Sequence, residues 1–147
     1  MSKIWATPVW FFFHGMAEKV HEDFYNKNKQ ACLNIVKQIC YSLPCPICKN
    51  EATKFMNRIT IKHIPTKKHF KMLLFNFHNH VNRKLRKRKF NYKQLEKYKY
   101  LRFIKCTKIM CAQLRRFNNK SFNRMRSSNS YINLVENSIR HHIKYFI

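Results

Sequence analysis

Two cysteines three positions apart, Cys45 and Cys48, stand in the run Leu43-Pro44-Cys45-Pro46-Ile47-Cys48. Positions i and i+3 of a helix share a face about 5–6 Å apart, a gap that a disulfide can span. Pro44 disfavours helical geometry in the residue before it, and Pro46 suits a first helical turn, where a missing N–H costs nothing. The spacing predicts a helix that starts at Cys45 or Pro46 and runs to about Asn57. At such a start the unpaired N–H groups and the macrodipole stabilise a thiolate. The pair therefore suits thiol–disulfide exchange. A CxxC pair also serves zinc, and His78 and His80 leave a Cys2His2 site conceivable. His-x-His, however, sends its rings to different helix faces, whereas zinc pairs on a helix sit three to five apart.

The other four cysteines lack this arrangement. Cys32 and Cys40 are eight apart within a predicted helix, which separates them by over ~10 Å along the axis. Cys106 and Cys111 are five apart and bridge only if their segment is irregular. The bland reading of all four is an ordinary buried or unreacted thiol.

A second constellation lies in His78-Asn79-His80-Val81-Asn82-Arg83-Lys84-Leu85. Residues 78, 81, 82 and 85 fall on one helix face, continuing the apolar face of Phe70, Leu74 and Phe77. A buried His and Asn one turn apart need partners. Internal hydrogen bonds would supply them, and so would a planar, polar-edged cofactor. Trp10 and His14, four apart on the first helix, offer another mixed surface.

The positioning elements read as helices. Apolar spacing of three and four predicts helices over residues 9–26, 29–42, 45–57 and 67–87, with a fifth from about Asn91 in which Leu95 and Tyr98 face inward. Residues 58–66 read as a connector, with a hint of strand at Ile59 and Ile61 closed by Pro65. Past residue 105 the periodicity fades. Residues 115–130, rich in Arg, Asn and Ser, resemble a mobile basic linker, and 131–147 suggest a last amphipathic helix. One Gly and four Pro in 147 residues argue against many tight turns. The expectation is an all-α four-helix bundle with a short fifth helix and a basic C-terminal extension.

The net charge is +25. Residues 1–90 carry 18 basic against 4 acidic groups, and residues 91–147 carry 13 against 2, so the charge is not confined to a tail. Such a field favours anionic partners without naming one. A basic nucleic-acid-binding helical protein is the alternative reading, resting on this charge and on the interleaved Phe117, Phe122 and Tyr131. No run of 18 apolar residues occurs, and Val9–Phe13 is too short for a signal-peptide core. We expect a protein neither secreted nor membrane-spanning.

Taken together, Trp10-x-x-x-His14, Leu43-Pro44-Cys45-Pro46-Ile47-Cys48, His78-Asn79-x-Val81-Asn82-Arg83-Lys84-Leu85 and the following Phe90 resemble the Erv/ALR flavin-linked sulfhydryl oxidases in order and spacing over about residues 5–100. The opening Trp5…Val9-Trp10 and the Leu43-Pro44-Cys45-Pro46-Ile47-Cys48 core are most similar to members from large DNA viruses, with an iridovirus-like homologue the nearest match. The resemblance implies an oxidase domain over 1–104 and a basic extension over 105–147. It implies FAD as cofactor, protein thiols as substrates, dioxygen as acceptor with hydrogen peroxide as product, and a possible homodimer in the host cytoplasm or the virion. By the same resemblance Cys48 lies against the isoalloxazine ring and Cys45 exchanges with substrate. Trp10, His14, His78, Asn79, Val81, Asn82 and Leu85 then line the flavin, with Lys84 and Lys87 near its phosphates. Cys106 and Cys111 become candidates for a shuttle disulfide. Two features depart from the pattern: Arg88 stands where a Pro is usual, and only Tyr98 or Tyr100 is offered where a Trp often stacks on adenine.

Overall fold

The computed structural model describes residues 4–120 and 125–147. Its helices are α1 (Ala6–Lys19), α2 (Glu22–Lys27), α3 (Lys29–Tyr41), α4 (Pro46–Asn57), α5 (Lys67–Lys84), α6 (Phe103–Lys120) and α7 (Asn129–His141). Short 3₁₀ segments at Ile61–His63, Tyr92–Tyr100, Met125–Ser128 and Ile143–Tyr145 complete it. No strand occurs among the described residues, so the all-α expectation holds.

The α4 start follows from its sequence. Cys45 is extended and acts as N-cap, Pro46 occupies the first turn, and the Cys45 sulfur accepts the Cys48 N–H at 3.3 Å. Thr66 caps α5 in the ordinary way, its hydroxyl oxygen accepting the His69 N–H. At its other end α5 stops at Lys84, and Arg86 takes a left-handed φ of 56°. The Lys87 N–H then reaches back to the Asn82 carbonyl at 2.8 Å, the long bond of a Schellman turn.

Three expectations are corrected. The helix expected over 9–26 breaks at Val20–His21 into α1 and α2. His21 is held extended by contacts from far along the chain. Its N–H donates to the Tyr145 carbonyl at 2.8 Å, and its ring pairs with the Ile147 carbonyl. The strand hinted at Ile59 and Ile61 is a 3₁₀ turn with Thr60 and His63 capping each other. The linker expected over 115–130 is helical up to Lys120. The buried stripe of α6 includes Thr107 and Asn118 among Phe103, Met110, Cys111 and Leu114, so polar residues hid a regular period. Residues 121–124, which complete that segment and include Phe122, lie outside the described residues.

One continuous core runs from Trp5 to Phe146. α1 packs on α5 and α6, α3 packs on α4 and α7, and α6 packs on α7. The segment 105–147 thus supplies Met110, Leu114, Ile132, Val135 and Ile139 to the same core as the first four helices. Gly15 lets α1 approach the α6 start, since a Cβ there would run into the Leu101 side chain and crowd Phe103. A half-buried Lys71–Glu18 ion pair of 2.7 Å ties α5 to α1. A second cluster, Phe90, Leu95 and Tyr98, closes the return from α5 against Phe11 and Phe75.

Candidate active site

Cys48, on the first turn of α4, opens onto a cavity of about 320 Å³ between α1, α4 and α5. Its floor is apolar: Val9, Phe13, Leu43, Ala52 and Phe77. Trp5 and Trp10 wall one side, and Val81, Asn82 and Leu85 come from α5 and its cap. Lys84 and Lys87 stand at the rim, where both are exposed. Ile47, 78% exposed, marks the mouth beside Cys48.

The Cys45 sulfur is not on this wall. It caps α4, accepting the Cys48 N–H. Both residues are half-buried, but only Cys48 lines the cavity, while Cys45 caps the helix start. An N–H at a helix start favours the anionic form of a sulfur that accepts it.

The expected site residues separate into two layers. Trp10, Val81, Asn82, Lys84, Leu85 and Lys87 line the cavity. His14 and His78 do not; they form the layer behind Trp10. The Trp10 and His78 rings are parallel within 3° and 3.9 Å apart, and His78 stacks in turn on Phe90 at 4.4 Å. His14 Nε2 and His78 Nδ1 share a hydrogen bond of 2.8 Å. Burial holds both rings neutral, lowering His14 to about 3 with His78 and Lys97 adding to it, and His78 to about 4 with Lys97 and Lys87 adding to it. Asn79 faces away from the cavity. Its amide accepts the Phe90 N–H at 2.7 Å and donates to the Phe90 carbonyl at 3.1 Å, fastening the chain that returns from α5.

Of the tyrosines offered for adenine, Tyr98 is buried against Phe11 and His14, and Tyr100 is 88% exposed. Neither lines the cavity. The zinc alternative finds no support in His78, whose Nδ1 is taken by His14. No cluster of three metal-ligating side chains is gathered among the described residues. Of the aromatics offered for nucleic acid, Phe117 packs on the core and Tyr131 pairs with Tyr41 at 5.4 Å. No helix among the described residues is long and apolar enough to cross a membrane.

Sequence reasoning missed Trp5, Phe13, Phe77, Glu51 and His80 on the cavity wall. Their signal was present. Glu51 lies one turn after Cys48, and Trp5, the α1 N-cap, stands four residues before Val9 and eight before Phe13 in line with one face of α1. Burial, chiefly, and then Lys84 and Arg83 push the His80 proton affinity down.

The residues present fit a flavin nucleotide. The cavity has aromatic walls for a flat ring, polar Asn82 and His80 for ring edges, and two exposed lysines at the rim for a diphosphate. One buried polar atom nearby, His14 Nδ1, has no partner among the described residues.

The chain is also similar to known proteins. The family model described as the Erv1 / Alr family matches residues 7–101. A similar protein is 096R of Invertebrate iridescent virus 3, provisionally named an FAD-linked sulfhydryl oxidase. It is 28% identical over 86 residues, covering 58% of this chain and 58% of that protein. This chain therefore spans little more than half the length of that relative. No solved structure matches significantly. With the family match covering most of the chain, and both cysteines and the α5 stripe inside it, this chain belongs to the Erv1/Alr family.

Proposed function

We propose that the chain is an FAD-dependent thiol oxidase that forms disulfides in substrate proteins. One observation carries the reading: the Cys48 side of the CxxC pair opens on an aromatic-walled, lysine-rimmed cavity, while Cys45 stands outside it at the helix start. Membership of the family and the name of the viral relative support it.

The chain's own residues do the following. In the oxidised pair, a substrate thiolate attacks the Cys45 sulfur. The Cys45–Cys48 bond breaks, a mixed disulfide forms, and Cys48 leaves as a thiolate facing the cavity. A second substrate thiolate attacks the substrate sulfur of the mixed disulfide. Cys45 leaves as a thiolate, and the Cys48 N–H is placed to stabilise it. The substrate has lost two electrons and two protons, and the cysteine pair has gained the electrons. FAD, when bound, supplies the two-electron acceptor that returns the pair to its disulfide, with dioxygen as final oxidant and hydrogen peroxide as product. Trp10, Val81, Asn82 and Leu85 would hold the flavin ring, and Lys84 and Lys87 its phosphates. The neutral His14–His78 pair would brace Trp10 from behind. The host cytoplasm or the virion is the corresponding place of action.

The test is an absorption spectrum of the purified protein after FAD reconstitution, followed by oxygen uptake with a small dithiol. Bound-flavin absorbance and dithiol-dependent peroxide are expected. A protein that retains no flavin refutes the proposal.

A further inference from the structure

Between Arg83 and Lys89 every residue except Leu85 is cationic, and all seven are exposed. No ion pair engages these six cations among the described residues, whose ion pairs lie at Lys71–Glu18, Arg115–Glu136 and Arg140–Glu136. The ridge is anchored at both ends. The Lys87 N–H is bonded to Asn82 of α5, and Asn79 grips both backbone polar groups of Phe90 just beyond Lys89. A mobile tail would blur its charge in space, whereas this one is fixed beside the cavity that Cys48 lines.

The number of cations exceeds what the cavity uses. Lys84 and Lys87 line the rim, but Arg86, Arg88 and Lys89 do not. Arg86 in particular occupies a left-handed backbone position, φ 56°, where Gly is the favoured residue and any side chain is strained. Strain of this kind persists where the residue serves another purpose. Ile47, an exposed apolar side chain, stands at the same mouth. An apolar knob by the reactive pair and a fixed cationic ridge alongside suit an extended peptide with acidic residues near its thiols. Single-stranded nucleic acid would want stacking platforms as well, and residues 83–89 contain no aromatic.

We propose that the Arg83–Lys89 ridge is a docking surface for acidic stretches of the dithiol proteins that this chain oxidises. The proposal rests on the thiol-oxidase reading and adds a substrate class to it. The ridge draws acidic thiol segments to the cavity mouth, raising their encounter rate more than their turnover.

The experiment compares three dithiol peptides flanked by four Glu, four Gln or four Lys, using the full chain reconstituted with FAD. The Glu-flanked peptide should exceed the Gln-flanked one in kcat/KM by about tenfold at low ionic strength. The advantage should shrink towards unity at about 0.5 M salt, where the screening length falls to a few ångström. The variant R86Q/R88Q/K89Q should lose the preference while oxidising dithiothreitol at the wild-type rate. Equal rates for the Glu and Gln peptides, or a preference that survives in the variant, overturn the proposal. So does ridge-dependent binding of a DNA duplex without acidic-peptide preference, which would give the ridge to nucleic acid. Fluorescence anisotropy of the Glu peptide with both cysteines replaced by serine reads docking without catalysis. If no dithiol is oxidised the oxidase reading fails, and this arm still decides whether the ridge binds acidic chains.

Discussion

Cys45 and Cys48 stand at the first turn of α4, whereas Cys106 and Cys111 stand within α6. The first pair has a helix N-terminus, a proline that frees the turn, and a cavity on one side. The second pair is five apart on a regular helix. Cys111 is fully buried, and burial, with the Glu136 carboxylate adding to it, pushes its thiol up to about 12. Cys32 and Cys40 share that fate, each raised to about 12 by burial. Five of these six sulfurs lie within helices and Cys45 caps one, so helical placement by itself does not set the pairs apart. What the first pair has and the others lack is a position at the helix start and access to a cavity, the setting that favours a thiolate. The shuttle disulfide implied for Cys106 and Cys111 has no geometry to form while α6 is intact, since a Cα separation above about 7 Å cannot be bridged.

The largest test of this contrast is Cys48→Ser against the double variant C106S/C111A. Cys48→Ser removes the sulfur that faces the cavity, and dithiol oxidation should fall to background. C106S/C111A should keep turnover within about twofold, because it touches neither the cavity nor α4. Oxygen uptake on both a small dithiol and a reduced protein substrate measures this. A double variant that loses the protein substrate alone would restore a shuttle role and break the comparison.

The layer behind the cavity carries an acid response of its own. His14 and His78 have folded-state proton affinities near 3 and 4 against 6.5 in the unfolded chain. As pH falls below 6.5, the unfolded chain takes up protons that the folded chain refuses, so stability declines. The decline runs until His78, and below it His14, protonates in the folded state. With both rings acting, unfolding free energy should be about 2–3 kcal/mol lower at pH 5.5 than at pH 7. Urea unfolding across that range measures it. A flat profile would mean that the two rings are not buried behind Trp10.

The bundle was legible because its signals are local: a proline pair around Cys45, and apolar residues every three or four positions in α3 and α5. What escaped depended on partners distant in sequence. The break at His21 is held by Tyr145 and Ile147, more than 120 residues away. The α6 stripe escaped because Asn118 is a core residue only by virtue of Ser42, whose buried carbonyl accepts its amide at 3.0 Å. The site was legible as a set of residues but not as two layers. Nothing in His-Asn-x-Val-Asn says that Asn79 turns away to grip Phe90 while Asn82 meets the cavity. That division gives the next test. Asn79→Ala leaves the Phe90 N–H without its acceptor and should cost about 1–3 kcal/mol, with the loss seen in thermal unfolding without added flavin. Stability unchanged in that form would place Asn79 in the cofactor layer instead.

The smallest effect bears on the rim itself. Arg86 pays for its left-handed backbone in a region otherwise fixed at both ends, whereas the α6–α7 side shows no positive-φ residue among those described. Arg86→Gly should raise stability by about 0.5–1 kcal/mol, since Gly takes this conformation without steric cost, though it also loses more entropy on folding. The same change removes one cation from the ridge, so capture of an acidic dithiol peptide should weaken at low salt while a neutral dithiol is unaffected. The two readouts move in opposite directions only if the arginine is kept for its charge. If stability rises and acidic-peptide capture does not change, the strain at this turn is an accident of sequence. The rim would then differ from the packed helices only in its charge.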